Sequence, residues 1–430
     1  MSPGLLIAKT FVVALLIGVP IAFVLGLASL LYLIFIGGMS MGVIGARMFA
    51  GVNQFVLLAL PFFILAGSLM NKTKITEDLV EFADLIVGRL PGSLAQINVV
   101  VSILFAGLTG AAVADTAAIG SILIPAMKKQ GYTAAYSAAV TTASSIIGPI
   151  IPPSIIMVIY GSVTGLSIGA LFLAGFVPGV LVGLGLMIMA TWFAIRQHHP
   201  RRTVPFPREK IFRVLKRAAI GMLLPIIIIG GILSGVFTPT EAAAMACFYA
   251  LIVGTVVLRT LTWNDIKDSL LESAVTASVI LLVISAANLF GVVLAIERVP
   301  NLVARFITEV APNPVVFLLM VNVFLLFMGM IMETGANVVI LAPILLPVAT
   351  RFGVHPLHFA LVVLVNLNIG LTTPPLGVCL FTAAPIARVK YEKISRAVLP
   401  FVAMEIAVLM LITFVPETVL FVPRLVGIIR

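Results

Sequence analysis

Gly107–Ser154 reads GLTGAAVADTAAIGSILIPAMKKQGYTAAYSAAVTTASSIIGPIIPPS, and Gly329–Leu376 reads GMIMETGANVVILAPILLPVATRFGVHPLHFALVVLVNLNIGLTTPPL. The two align without a gap at an offset of 222 residues. Gly107 falls on Gly329, Pro125 on Pro347, Gly131 on Gly353, Gly148 on Gly370, and Pro152-Pro153 on Pro374-Pro375; Asp115 falls on Asn337. Apolar background matches by chance, whereas glycines and prolines that punctuate apolar segments at the same places do not. Two copies of one broken-helix unit are predicted, which is the sequence mark of a secondary transporter.

Outward from this unit the chain is membrane-like. Hydrophobic residues make up 61% of the 430 residues, charged residues 10%, and the mean hydropathy is +1.24. Runs such as Val177–Ile195 and Val279–Ala295 are about as long as a bilayer crossing of roughly 20 apolar residues requires. Cys247 and Cys379 lie in apolar stretches and suggest neither a disulfide nor a metal site. His198, His199, His355 and His358 lie in or beside polar connections and form no ligand pattern. The first apolar run continues to about Ile36, too long for a cleaved leader, and reads as a membrane helix. The net charge of +10 is distributed as a cytoplasmic face rather than as a nucleic-acid surface.

A first helix (about Leu5–Phe35) exits from a cytoplasmic N-terminus, and Phe55–Met70 returns. Asn71–Arg89 carries Leu79, Phe82, Ile86 and Val87 at helical spacing against Glu77, Asp78, Glu81 and Asp84, so it reads as an amphipathic interfacial helix. Ser93–Leu108 and Ala114–Met127, about fifteen residues each, are short for full crossings and predict a re-entrant hairpin. Ala134–Thr164 is broken at Gly148–Pro153, where three prolines in five positions forbid continuous helix. Ile168–Ile195 leads to Arg196–Arg217, read as a basic cytoplasmic loop between the halves and a topology determinant open to anionic lipid. Ile220–Val236, Ala242–Leu258 and Ala274–Ala295 follow. Then come a second amphipathic segment (Glu297–Pro312), a second hairpin (Pro314–Met330, Asn337–Val348), a second broken helix (Leu357–Ala387) and a last helix (Val398–Val422). An odd number of crossings between the copies makes them inverted, and of 26 Lys and Arg only six fall on the outer side.

Irregular backbone at membrane depth is tolerated only where it is buried in protein or lines a wet cavity, so two tips and two breaks predict one central site. Freed carbonyl oxygens suit Na⁺, and half-helix N-termini suit a carboxylate. Asp115 is a mid-membrane acid and a cation ligand candidate, although it also fits as a cap of the returning half-helix. Glu333, in the second tip, reads as touching solute or ion, through Na⁺ or a hydroxyl, against a plain solvent-facing tip residue. Thr238-Pro239-Thr240-Glu241 reads as a capping box, and Ser144, Ser145, Asn366 and Asn368 as either site or helix–helix hydrogen-bonding residues. The paired carboxylates, Ser/His pair or metal cluster of an intramembrane enzyme are absent from the sequence pattern, and a channel has no use for two inverted hairpins.

Several stretches together resemble the large membrane subunit of TRAP (tripartite ATP-independent periplasmic) transporters, the M subunit, DctM-like. They are Leu60–Gly67 (LPFFILAG), Gly88–Gly92 (GRLPG), Val113–Gly120 (VADTAAIG), Gly148–Ser154 (GPIIPPS), Gly235–Ala242 (GVFTPTEA) and Gly370–Pro375 (GLTTPP). The resemblance implies an all-α, inverted-repeat elevator driven by sodium. It imports an organic acid (dicarboxylate, keto acid or sugar acid) across the bacterial inner membrane, with the C-terminus periplasmic. It implies two separate partner chains, a small four-helix membrane subunit (Q type) and a periplasmic substrate-binding protein (P type), and no cofactor beyond coupling sodium ions. A stand-alone ion-coupled anion symporter or antiporter of the same superfamily is the alternative. The implied division is scaffold 1–70, arm 71–92, first transport repeat 93–166, scaffold 167–296 with the basic loop 196–217, arm 297–312, second transport repeat 313–388 and C-terminal helix 389–430. One sodium site would comprise Gly107, Asp115, Gly148 and Ile151, and a second Gly329, Asn337, Gly370 and Thr373; the solute would meet Gly110, Ala111, Ser154, Glu333, Thr334 and Thr372. Glu405, without an obvious partner, is read as facing the small subunit. The first tip, Thr109-Gly110-Ala111-Ala112, lacks the serine that many relatives carry near there, which points to a solute with fewer hydroxyls than a sugar acid.

Overall fold

The computed structural model describes residues 9–11, 13–14, 17–36, 41–202, 206 and 208–429. Among the described residues all regular structure is helical. Eight of these helices are long and apolar enough to cross a bilayer.

The chain opens with α1 (Ile21–Phe35), α2 (Met41–Val52) and α3 (Ala59–Lys72). The expected single helix from Leu5 begins outside the described residues. Inside them it is interrupted, because Gly18 takes φ +84° and α1 starts only after Pro20. Helix α2 fills a stretch for which no helix was expected. The amphipathic α4 (Ile75–Val87) buries Ile75, Leu79, Ala83 and Val87, half-buries Phe82 and leaves Ile86 exposed.

Helix α5 (Ser93–Thr109) and α6 (Ala112–Lys129) are joined at Gly110-Ala111. Next come α7 (Ala134–Ser145) and α8 (Ile155–Thr164), separated by the proline-rich break. Helices α9 (Ile168–Gln197), α10 (Arg208–Leu233), α11 (Pro239–Ile252), α12 (Trp263–Ile296) and α13 (Val299–Val310) lie between the copies. The second copy repeats the order of the first: α14 (Pro314–Ile331) and α15 (Thr334–Arg351), then α16 (Pro356–Gly370) and α17 (Val378–Ala387) across the second break. Both Pro-Pro bonds, Pro152-Pro153 and Pro374-Pro375, are cis. Gly131 and Gly353, matched in the alignment, both take positive φ just past α6 and α15, a conformation that glycine adopts at little cost. Helices α18 (Tyr391–Phe414) and α19 (Glu417–Leu425) end the described chain. The single last helix expected over Val398–Val422 is therefore two, parted at Val415-Pro416, where proline cannot continue the ladder.

The basic segment also departs from expectation. Residues 203–205 and 207 lie outside the described residues, but Arg208–Arg217 belongs to α10 and Arg196 to α9, so the connection is shorter than the expected loop 196–217. Two of its arginines hold α4. Arg217 pairs with Asp78 at 3.5 Å, and Arg202 pairs with Asp84 at 3.5 Å while donating to the Asp84 carbonyl at 3.0 Å. Burial pushes both carboxyls above the usual range, with the arginines partly opposing it. Helices α11 and α12 begin with capping boxes, Thr238/Glu241 and Thr262/Asp265, as the first was predicted to do.

The copies are interlocked. Helix α6 packs on α17 and α8 on α15, so each tip helix meets a half-helix of the other copy. Helix α7 packs on α18 and α16 on α9, the same exchange one element further along. From Leu357 to Gly370 every residue of α16 is buried, which places that helix at the centre of the core.

Candidate functional site

Four helices start around one cavity of about 250 Å³. Its wall includes Ala112 at the start of α6, Ile155 at the start of α8, Thr334 at the start of α15 and Val378 at the start of α17. Thr276, Val279, Ile280 and Val283 of α12 close another side. Each helix start carries roughly half a positive charge in unsatisfied N–H groups, so the helix starts supply positive potential to the cavity without a basic side chain. Indeed no Lys, Arg or His is among its lining residues.

Beside the cavity, matched positions of the copies leave matched oxygens free. Asp115 is fully buried; its Oδ1 accepts from the Thr109 hydroxyl, and its Oδ2 has no partner. A Cβ on Gly148 would collide with that Oδ2, so the first break passes directly against the free oxygen. Asn337 is equally buried; its amide donates to Met328 O at 3.2 Å and Met332 O at 3.0 Å, tying the second tip, and its Oδ1 has no partner. Buried polar atoms are nearly always bonded, so a free oxygen at each of two equivalent points is a candidate ligand position, as are those of other unpartnered buried groups such as Asn366 and Glu405. The four ion pairs among the described residues involve neither position. Free carboxylate and amide oxygens suit an alkali cation; no cluster of three or more His, Cys, Asp or Glu exists among the described residues to hold a transition metal.

The remaining expected residues divide. For the first ion site, Gly148 adjoins Asp115, whereas the Cβ direction of Gly107 faces the Pro225 ring of α10 and the Ile151 side chain packs on Gly179 of α9. For the second, Gly329 and Gly370 bring their backbones together; a Cβ on Gly370 would sit 2.5 Å from the Gly329 Cα. Thr373 donates its hydroxyl to Ile369 O at 2.7 Å. Of the solute candidates, Gly110, Ala111, Glu333 and Thr334 line the cavity. Ser154 does not; its hydroxyl donates to Pro149 O at 2.6 Å and caps α8 by accepting from Met157 N. Nor does Thr372, a buried residue whose hydroxyl lies 3.0 Å from Ile369 O and 3.3 Å from Glu405 Oε2. Glu405 itself is 0% exposed and points inward, not toward a partner subunit. His358, expected at a connection, is buried in α16 against Ile412 O at 2.9 Å.

Sequence reasoning missed the α12 wall, because apolar residues of a membrane helix do not announce which face meets a cavity. Asn368, left open between site and packing, lines the cavity with a free Oδ1.

Comparison with known proteins matches residues 9–418 to the family model described as the tripartite ATP-independent periplasmic transporter, DctM component. The sialic acid TRAP transporter large permease protein SiaM of Vibrio cholerae is 40% identical over 95% of either chain. The isethionate TRAP transporter permease protein DctMQ of Oleidesulfovibrio alaskensis is 39% identical over 96% of this chain, which spans 65% of that protein's length. Among solved structures, the Alcanivorax borkumensis YdaH transporter superposes with a TM-score of 0.62 at 15% identity, covering 96% of this chain and 98% of that one, a likeness of fold alone.

Proposed function

Because the chain belongs to the DctM component family of the tripartite ATP-independent periplasmic transporters, we propose that it is the permease subunit of a sodium-coupled importer of organic acids in a bacterial inner membrane. The acid binds in the cavity among the four helix starts, and sodium ions bind at the free oxygens of Asp115 and Asn337. The observation that carries this reading is their pairing: two orphan oxygens at alignment-equivalent positions beside a chamber ringed by four helix starts. Both hairpins are re-entrant and, with both broken helices, form a moving unit; α4 and α13 are the arms that join it to fixed helices including α12. The N-terminus is cytoplasmic and the C-terminus periplasmic. A small membrane subunit enlarges the fixed part, and a periplasmic binding protein delivers the acid, in keeping with the name DctMQ of one relative.

Reconstitution tests this. The chain is placed in proteoliposomes with its small subunit and binding protein and offered a panel of organic and sugar acids, with lumenal contents read by mass spectrometry. Accumulation of an acid should require an inward sodium gradient and vanish when choline replaces sodium. Accumulation indifferent to sodium removes the coupling. Equal accumulation by the chain without either partner removes the tripartite assignment.

A further inference from the structure

Resting on the reading of the cavity as an acid-binding chamber, the polar groups of its wall narrow the class of acid. Two helix starts are already capped by side chains, α8 by Ser154 and α15 by Glu333, whose Oε2 accepts from Ala336 N at 3.2 Å. Two are not, α6 and α17. At α17 the Cys379 N–H is spent on Leu371 O. At α6 the N–H groups of Ala112, Val113 and Ala114 have no acceptor among the described residues, the first bond of the helix being Asp115 N to Ala111 O. The wall therefore offers one free set of donors for one anionic group.

Everything else polar in the wall favours donors. The Glu333 side chain is exposed, and no cation pairs with it among the described residues. Asn368, 0% exposed, spends its amide N–H on Leu364 O at 2.8 Å and leaves Oδ1 free. Thr334 is 1% exposed and its hydroxyl has no partner. Apart from Thr276 of α12, the rest of the lining is apolar, including Val113, Ile156, Ile159, Ile280, Val339 and Leu371. The volume, about 250 Å³, falls below the ~300–1,000 Å³ of pockets that take drug-sized ligands.

We propose that the occupant is a small acid with a single acidic group, bound at the start of α6, a largely apolar body, and a hydrogen-bond donor, hydroxyl or ammonium, facing Glu333, Thr334 and Asn368. A second acidic group would meet the Glu333 carboxylate with no basic side chain to offset it. A sugar acid would bury several hydroxyls against apolar walls, and each hydroxyl left unpaired there weakens binding.

Ligand-induced thermal shifts of the full chain in nanodiscs, with sodium present, test the proposal. The probes are length-matched sets: butyrate, 4-hydroxybutyrate, 4-aminobutyrate and succinate; propionate, 3-hydroxypropionate, β-alanine and malonate; and gluconate as sugar acid. A donor-bearing acid of either kind should bind at least ~10-fold more tightly than its unsubstituted parent, since sites built to bond a polar group reject analogues lacking it. The diacid should bind weakest of its set. Glu333→Gln, which keeps an oxygen to cap α15, should narrow the gap between diacid and donor-bearing acid about 10-fold. A diacid or gluconate binding as tightly as the donor-bearing acids in the unmodified chain overturns the proposal and leaves the chamber an acid site. Absence of any acid-induced shift in either form, while sodium still shifts the chain, overturns the acid-site reading itself and the proposal with it.

Discussion

Replacing Asp115 by asparagine removes one charge and almost nothing else. The amide is the same size, its carbonyl oxygen can still accept from the Thr109 hydroxyl, and among the described residues the buried position has no cationic partner to strand. What is lost is a charged oxygen aimed at the proposed ion. A hydrogen bond or contact to a charged group contributes about 1.5–3 kcal/mol, so sodium affinity should fall roughly 10- to 150-fold. The assay is sodium-induced thermal stabilisation of the purified chain, with choline as the ionic-strength control. A ligand at 100 times its Kd stabilises by about 2.7 kcal/mol; a 100-fold loss of affinity at the same concentration leaves about 0.4 kcal/mol. Without sodium, Asp115→Asn should be at least as stable as the parent, because a buried carboxylate costs more than a buried amide. Sodium stabilisation equal in the two proteins would refute the reasoning, whatever happened to transport.

Gly370→Ala should destabilise by about 1–3 kcal/mol in thermal or denaturant unfolding, because its new methyl lands on the Gly329 backbone rather than on a side chain that can move; Gly230→Ala, a helical position with open space around it, should instead be neutral or stabilise by about 0.5–1 kcal/mol. Arg202→Ala should cost about 1 kcal/mol or less and raise protease sensitivity near α4, with the difference shrinking in high choline chloride, since the Asp84 pair keeps some access to solvent and is partly screened. Thr238→Ala should lower Tm at neutral pH by removing the cap of α11. Bonds from Thr238 hold the Glu241 carboxyl below its ordinary value of 4.5, so that group's contribution is present above 4.5 and is lost as pH falls through the folded pKa; the gap between parent and Thr238→Ala should close over that fall.

The repeat was legible because glycine and proline act on the backbone directly. Gly131, Gly353 and the paired prolines announce where helices stop, whatever surrounds them. The element order from α3 to α18 followed from such punctuation. The break at Gly18–Pro20 carried the same signal but lay inside a run apolar enough to pass for one helix, and α2 and the Val415-Pro416 break were lost likewise. Side-chain roles were less accessible. Ser154 and Thr372 are hydroxyls beside a break, as a solute ligand would be, yet each is consumed by nearby backbone, which sequence spacing does not reveal. Glu405 shows the same limit in reverse. Its helix was evident, but which face of α18 meets α16 depends on packing between segments far apart in the chain.

The four helix starts around the chamber imply a rule of electrical bookkeeping. At about half a unit each they bring roughly two positive charges together. Glu333, capping one of them, and Asp115, in the first turn of another, supply a nearly equal negative total. On this count the chamber without guests is close to neutral, and a monoanion alone leaves a net charge in low dielectric that an alkali ion offsets. Coupling of the proposed acid to the proposed sodium then needs no lever between their sites. It follows from the arithmetic of helix ends and two carboxylates, and a variant that changes that arithmetic should transport with a different ion-to-solute ratio before it stops transporting at all.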